Sequence, residues 1–196
     1  THQTTMGSAY DGLLVKFGGN GTGVRAPYYG GDGYEYLEDV VVGPRNRVYI
    51  CGSTYSTNNI STAGSYQPTL AGTNGWSDAF MAVFDSNGIR QYGTYYGGNH
   101  IDWADGLAYG NGRVYMAGVT RSSGIATTGA HQTSLSGNAN AFLVSFDLDS
   151  FLYIKEPLPD VVLCGGDTLV IPYEVTKPFR SGNTFNIELS NSSGSF

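Results

Sequence analysis

The chain has 196 residues, a net charge of −6 at neutral pH, and only 13% charged residues. This length fits one domain or two small ones, and the acidic balance argues against nucleic-acid binding, which needs a basic face. No run of 18 apolar residues is present, so the sequence predicts no membrane span. With 29 glycines, 15 tyrosines and no long helical periodicity, the composition predicts an all-β chain of short strands and turns.

One short apolar string occurs three times. It reads D-G-L-L-V-K-F at 11–17, D-A-F-M-A-V-F at 78–84 and N-A-F-L-V-S-F at 140–146. Each copy is led by a polar residue and closed by Phe, which predicts a buried β-strand. The copies lie 67 and 62 residues apart, so they indicate a repeated structural unit.

Other strings recur in register with the first. Y-Y-G-G stands at 28–31 and 95–98, and V-Y-I-C-G-S-T at 48–54 matches V-Y-M-A-G-V-T at 114–120. The predicted strands are 38–43, 47–53, 78–84, 89–96, 104–110, 113–119 and 140–146. Four strands in each unit, at a fixed period, favour a β-propeller blade over a solenoid coil or a sandwich.

The order D-A-F-x-x-x-F, D-x-N-G, Y-Y-G-G, an acidic–aromatic pair and V-Y-x-x-G-x-T resembles the SBBP-type bacterial β-propeller repeat. The resemblance covers about residues 1–147 and implies a partial propeller of about two and a half four-stranded blades. Two copies depart from it, because Phe17 is followed by G-G-N-G-T-G and the last copy lacks Y-Y-G-G. Propellers close with about four to eight blades, so we expect more of a longer chain on both sides. An open array of sheets that self-associates is the alternative.

The composition changes after residue 150, and three segments are expected: a propeller region 1–152, a linker 153–160 and a module 161–196. The linker has two prolines and mixed charge, which favours an extended conformation. The module resembles the opening of Ig-like modules that follow repeats in bacterial surface proteins. Such a sandwich needs about 100 residues, so an incomplete Ig-like β-sandwich is predicted. Cys51 and Cys164 are interpreted as buried hydrophobes, with a disulfide as the alternative.

The long loops of the repeat are predicted to share one face. In an antiparallel four-stranded blade, the loops between strands two and three emerge on the same side as those between blades. Here these are 55–77 and 121–139, with 30–36 and 97–103 between blades. Binding residues concentrate on long loops held by a rigid scaffold, so we expect any site on this long-loop face.

Acidic and aromatic residues alternate on that face. The candidate ligand-binding residues are Glu35, Tyr36, Glu38, His100, Asp102, Trp103 and Asp105. Carboxylates beside flat aromatic rings suit a sugar subsite. Alternatively, each acid caps the backbone N–H groups of its turn and the aromatic residue packs between blades. Recurrence of the residues in both units favours this structural role.

No catalytic residue is predicted, since the motifs G-x-S-x-G, H-E-x-x-H and G-x-x-x-x-G-K-[ST] are all missing from the sequence. A glycosidase that uses Glu35 with Glu38, or Asp102 with Asp105, is the alternative. No metal or cofactor is expected, and Ca²⁺ bound by loop acids at 30–35 or 147–150 is a weaker alternative.

These patterns lead to one functional expectation. The chain is interpreted as a non-catalytic repeat scaffold of a large bacterial protein that is secreted or held at the cell surface. Its expected use is adhesion, with a glycan or a surface protein bound through the long-loop face. A carbohydrate-active propeller enzyme is the alternative function.

Overall fold

The computed structural model describes most of the chain up to residue 148 and two short strands beyond it. The described residues are 3–8, 10–25, 27–148, 152–154 and 173–175. They form β-strands and a turn of 3₁₀ helix at Pro44–Asn46, with no α-helix among them. The strands are β1 (Gly12–Leu13), β2 (Lys16–Phe17), β3 (Gly23–Arg25), β4 (Tyr28–Tyr29), β5 (Glu35–Val42), β6 (Val48–Thr54), β7 (Asp78–Phe84), β8 (Arg90–Tyr96), β9 (Asp102–Gly110), β10 (Arg113–Thr120), β11 (Asn140–Phe146), β12 (Leu152–Ile154) and β13 (Tyr173–Val175). The all-β prediction is confirmed for this part of the chain.

Two antiparallel sheets form the centre of the described chain. The first sheet has the strand order β5-β6-β7-β8, and the second sheet has the order β9-β10-β11. All seven longer strands predicted from the sequence are present, but β5 and β9 begin earlier than predicted, at Glu35 and Asp102. Glu35 pairs with Thr54 and Asp102 pairs with Thr120, so the ladders extend into residues that the sequence assigned to loops.

A β-bulge near the start of β5 and of β9 falls on an acidic residue in both sheets. The pairing of β5 with β6 skips Glu38, and the pairing of β9 with β10 skips Asp105. Opposite the first bulge, a Cβ on Gly52 would overlap the carbonyl oxygen of Tyr36. Gly118 has the same role in the second sheet. The glycine of V-Y-x-x-G-x-T is therefore required by the close approach of two backbones.

The prediction that 11–17 forms one buried strand is wrong: this string forms the two short strands β1 and β2, in which only Gly12 is buried. The short strands before residue 30 nevertheless repeat the pairing of the last two strands of the first sheet. β1 pairs with β4 and matches Gly12 with Tyr29. In the first sheet, 67 residues later, β7 pairs with β8 and matches Ala79 with Tyr96. β1 and β4 thus correspond to β7 and β8. The remaining short strands also pair antiparallel, β2 with β3 and β12 with β13.

The core lies on both sides of β7, of which every residue is buried. Side chains alternate between the two faces of a strand, and one face of β7 joins an apolar cluster. That cluster contains Tyr29, Ile50, Ile60, Phe80, Ala82, Phe84 and Tyr95. On the other face Met81 is fully buried, and there Tyr49 contacts Tyr109 of the second sheet with ring centroids 5.8 Å apart. Burial of each large side chain stabilises this packing by about 1.5–3 kcal/mol.

The chain divides into two compact units, Thr1–Phe146 and Asp147–Phe196. Both sheets lie in the first unit. The predicted linker and Ig-like module lie almost entirely outside the described residues, so their boundaries stay predictions. Cys51 is fully buried, as its interpretation as a small hydrophobe predicted, while Cys164 lies outside the described residues.

Candidate functional site

The predicted site residues lie at the beginning of β5 and of β9, at the ends of the sheets that carry the long loops. Glu35, Tyr36 and Glu38 are in β5, Asp102, Trp103 and Asp105 are in β9, and His100 is in the turn before β9. Glu35 is 3% exposed and Asp102 is fully buried, whereas the two bulge acids are exposed. Each predicted acid pair is therefore divided between the interior and the surface, which does not suit two carboxyl groups flanking one bond.

The Glu35 carboxylate accepts hydrogen bonds from three groups, one at the end of β6 and two in the neighbouring loops. Its Oε1 accepts from Thr54 Oγ1 at 2.7 Å and from Ser56 Oγ at 2.6 Å, and its Oε2 accepts from the Gly31 N–H at 3.1 Å. Burial raises the pKa of Glu35, while the hydrogen bonds from Ser56 and Thr54 act in the opposite direction. The carboxylate therefore joins the end of β6 to the Y-Y-G-G turn.

Asp102 holds the corresponding position in the second sheet, but only one of its two carboxylate oxygens accepts hydrogen bonds from the described residues. Its Oδ2 accepts from Ser122 Oγ at 2.7 Å and from the Gly98 N–H at 2.8 Å. Thr120 Oγ1 donates instead to the Ser122 carbonyl at 3.3 Å. Among the described residues nothing donates to the buried Oδ1 of Asp102. The shorter aspartate side chain thus leaves unfilled the contact that Glu35 makes with Thr54.

A second buried acid, which the sequence analysis did not select, begins β7. Asp78 is fully buried and accepts from Gln67 Nε2 at 2.7 Å, from the Ala71 N–H at 2.8 Å and from the Gly72 N–H at 3.0 Å. Burial, and then the nearby negative charge of Asp102, raise the pKa of Asp78 to about 6. Asp11, its counterpart before β1, accepts in the same way from Gln3 Nε2 and the Gly7 N–H.

A glycine brings the two acids of each copy together. A Cβ on Gly97 would lie 2.7 Å from both Asp102 Oδ2 and Asp78 Oδ1. The two oxygens are therefore no farther apart than twice that distance. Gly30 occupies the same place between the two acids of the preceding copy. The first glycine after Y-Y is thus needed because the carboxylates fill the space where a side chain would stand.

A recurring T-x-S string is the sequence signal for these networks. The string T-x-S ends β6 as Thr54 and Ser56, and it recurs after β10 as Thr120 and Ser122. In both copies the serine hydroxyl donates to the buried acid. A recurring pair of small hydroxyl residues at the end of a strand, opposite a recurring acid, indicates a buried acceptor with its donors.

Four tyrosines form a cluster at the long-loop end of the first sheet. We call Tyr10, Tyr34, Tyr36 and Tyr55 the tyrosine cluster. Tyr10 stacks on Tyr36 with centroids 6.2 Å apart, and Tyr34 meets Tyr10 and Tyr55 edge-on at 5.5 and 6.3 Å. Tyr10, Tyr34 and Tyr36 are 58%, 46% and 44% exposed. Of these four, only Tyr36 was selected from the sequence.

The aromatic candidates of the second copy have protein partners. Trp103 lies under the guanidinium of Arg121, 5.8 Å from the ring centroid. His100 stacks on Trp76 with centroids 3.5 Å apart, and its Nδ1 accepts a hydrogen bond of 2.7 Å from the Ile101 N–H. These contacts hold His100 in the turn, so the structure supports a packing role for the histidine.

Asp32, one of the loop acids considered for Ca²⁺, is hydrogen-bonded to a neighbouring loop. Asp32 accepts from both the N–H and the hydroxyl of Thr57 at 2.7 Å, and the hydroxyl bond lowers the pKa of Asp32. Asp149 lies outside the described residues. In the described part of the chain, no three His, Cys, Asp or Glu side chains are placed to hold a metal ion. No helix found there is long and apolar enough to cross a membrane.

Comparison with known proteins does not assign a family. No family model matches the chain, and a search of the curated proteins found no match. Function therefore has to be inferred from the site itself.

Proposed function

We propose that the chain is a non-catalytic repeat scaffold of a secreted or cell-surface bacterial protein, which binds glycans through its long-loop face. In this proposal the first unit is part of a β-propeller, and an Ig-like module follows it. The observation that carries the proposal is a difference in burial at the long-loop end. There the recurring acids are buried and hydrogen-bonded, while aromatic rings are exposed.

The state of the buried acids supports a structural role. Glu35 and Asp78 each accept three hydrogen bonds from the protein, and most of these donors belong to loops. A catalytic pair must flank the scissile bond with room for a sugar between its members. Buried carboxylates that already hold loop backbone lack that room, so they act as anchors for the loops.

The tyrosine cluster supports a binding role. Tyr36 and Tyr10 present stacked and exposed rings, and tyrosine gives a large contact surface at a low cost in conformational entropy. A ring face suits the C–H groups of a sugar, and the phenol groups supply hydrogen bonds at its edge. Several exposed rings in contact give a platform for more than one sugar residue.

The strand pairing supports the propeller part of the proposal. The match of Gly12 with Tyr29 recurs 67 residues later as Ala79 with Tyr96. Sheets whose strands are consecutive in sequence, and which pack on one another in chain order, are the arrangement that propeller blades have.

The proposal is tested by retention of the full chain on a panel of insoluble polysaccharides. Tyr36→Ala removes the ring that stacks on Tyr10. Loss of such an anchor costs about 1–2 kcal/mol, which is roughly fivefold to thirtyfold in affinity. Tyr66→Ala is the matched control for the cluster, because Tyr66 is 57% exposed in the long loop 55–77 but its ring contacts Tyr96 and Phe146 rather than the cluster. Released reducing ends are measured in the same tubes.

The outcomes separate the candidate functions. Retention that Tyr36→Ala abolishes and Tyr66→Ala preserves, without new reducing ends, supports a glycan-binding scaffold. New reducing ends in the wild-type tubes would favour the carbohydrate-active enzyme instead. Absence of retention on every polysaccharide would refute glycan binding and leave a surface protein as the partner to seek.

A further inference from the structure

One face of the second sheet exposes residues whose counterparts in the first sheet are buried. We call this the back face, and its residues are Ala117, Ala141, Leu143 and Ser145. Leu143 is 74% exposed, whereas Met81, at the same place in β7, is fully buried. Ala141 is also exposed, and its counterpart Ala79 is fully buried. The difference arises because the second sheet covers this side of the first sheet, and no described residue covers the same side of the second.

The short strands before residue 30 expose apolar side chains on the other side, the one that corresponds to Phe80 and Phe84 in β7. We call this the front face, and its residues are Met6, Leu13, Val15 and Phe17. Leu13 and Phe17 are 48% and 65% exposed, whereas their counterparts Phe80 and Phe84 are fully buried. Phe80 and Phe84 belong to the cluster that receives the preceding strands. The front face has apolar side chains in the same alternation, and these stay exposed among the described residues.

The two kinds of face already meet within the chain. Leu14, which corresponds to Met81 and Leu143, packs against the cluster that contains Phe80. Further along, Phe142 of β11 contacts Tyr96 of the first sheet with ring centroids 5.1 Å apart. In both places, the side of a sheet that corresponds to the front face packs on the side of the preceding strands that corresponds to the back face. Among the described residues, one face of each kind is therefore left exposed.

We propose that the front face of one copy of this chain docks on the back face of another copy. The contact would continue the packing that joins successive sheets within the chain. Because two different surfaces meet, the interface is heterologous, and successive copies join head to tail into a closed ring or an open filament. Leu143 on the back face and Phe17 on the front face give each surface a large exposed apolar side chain that this contact would bury. This inference is independent of whether the long-loop face binds glycans.

The test is sedimentation velocity on the full chain and on two variants that each block one face. Phe17→Asp places a charge on the front face, and Leu143→Asp places one on the back face. The wild-type chain is expected to form species larger than 20.9 kDa that increase with concentration. Each variant alone is expected to stay at the mass of one chain. An equimolar mixture of the two should form pairs and no larger species, since each variant supplies one intact face.

The controls make the result specific to the two faces. Ile89→Asp alters a side chain that is 46% exposed between β7 and β8 and on neither face, so it should self-associate like the wild-type chain. Circular dichroism checks that each variant is folded. If a variant does not fold, hydrogen exchange of the wild-type chain is used, and residues 141–145 should gain protection as concentration rises. A wild-type chain that stays monomeric at about 100 μM, a mixture that forms no pairs, or self-association of either variant alone would overturn the proposal.

Discussion

Replacement of Gly97 by alanine tests the arrangement of the paired acids. The new Cβ would lie 2.7 Å from Asp102 Oδ2 and from Asp78 Oδ1, which is closer than such atoms approach. At least one carboxylate must move, and its hydrogen bonds to the loops must lengthen. Overpacking of this kind costs about 1–3 kcal/mol. For a chain of this size, a loss of about 2 kcal/mol lowers the melting temperature by about 4–8 °C.

The matched control for this experiment is Gly110→Ala. A Cβ on Gly110 would meet no atom within 4 Å, and its backbone does not have a positive φ. Gly110→Ala should therefore leave stability unchanged or raise it by about 0.4–1 kcal/mol. Both variants are compared with the wild-type chain by thermal and urea unfolding, followed by circular dichroism. Equal melting temperatures for Gly97→Ala and Gly110→Ala would show that the two carboxylates do not occupy the space beside Gly97.

Two further predictions concern the acids themselves. The folded chain holds a proton on Asp78 with a pKa of about 6, more tightly than the unfolded chain does, so stability should rise as pH falls from 7 towards 4. The gain in unfolding free energy from this group is at most on the order of 3 kcal/mol. Asp78→Asn should therefore flatten the dependence of unfolding free energy on pH, measured by urea unfolding at pH 7, 5.5 and 4.5. Parallel pH profiles for the wild-type chain and Asp78→Asn would contradict the raised pKa of Asp78. Asp102→Glu should stabilise the chain by about 0.5–1.5 kcal/mol, because the longer side chain reaches Thr120 as Glu35 reaches Thr54, and Glu35→Asp should cost a similar amount. Unfolding shifts of the same sign for these two exchanges would refute the comparison.

The sheets were predictable because their strands combine apolar runs with regular turn residues. β7 is buried on both faces, and its sequence D-A-F-M-A-V-F contains no charged residue after the first. The recurrence of this string also aligned the neighbouring predicted strands of one copy with those of the next. The local apolar pattern and its repetition were therefore enough to predict these strands from the sequence.

The roles of the acids were not predictable in the same way, because the sequence assigned Glu35 and Asp102 to loops before the predicted strands 38–43 and 104–110. In the string E-Y-L-E the two acids look equivalent, yet Glu35 is buried and Glu38 is exposed at the bulge. Two of the donors to Glu35, Thr54 at the end of β6 and Ser56 just after it, lie about twenty residues later in the chain. Pairing across a sheet, rather than sequence spacing, decides which acid is enclosed.

The tyrosine cluster was missed for a related reason. Tyr10, Tyr34 and Tyr55 come from three separate loop segments that only the folded sheet brings together. The repeat alignment also hides them, because Ser77 and Ile101 stand at the places of Tyr10 and Tyr34 in the next copy. Alignment of the repeats identifies residues that recur in every copy. It therefore overlooks a surface cluster that is formed by residues of one copy alone.

The central claim is that the recurring acids hold the loops and do not catalyse a reaction. It is tested most directly by measuring unfolding free energy and reducing-end release together for the wild-type chain and Glu35→Gln. The amide would turn an N–H₂ group towards the donors at Thr54, Ser56 or Gly31, so we expect a loss of about 1–3 kcal/mol in stability. Neither protein should release reducing ends from any polysaccharide. Release by the wild-type chain that disappears in Glu35→Gln, at unchanged unfolding free energy, would contradict the claim.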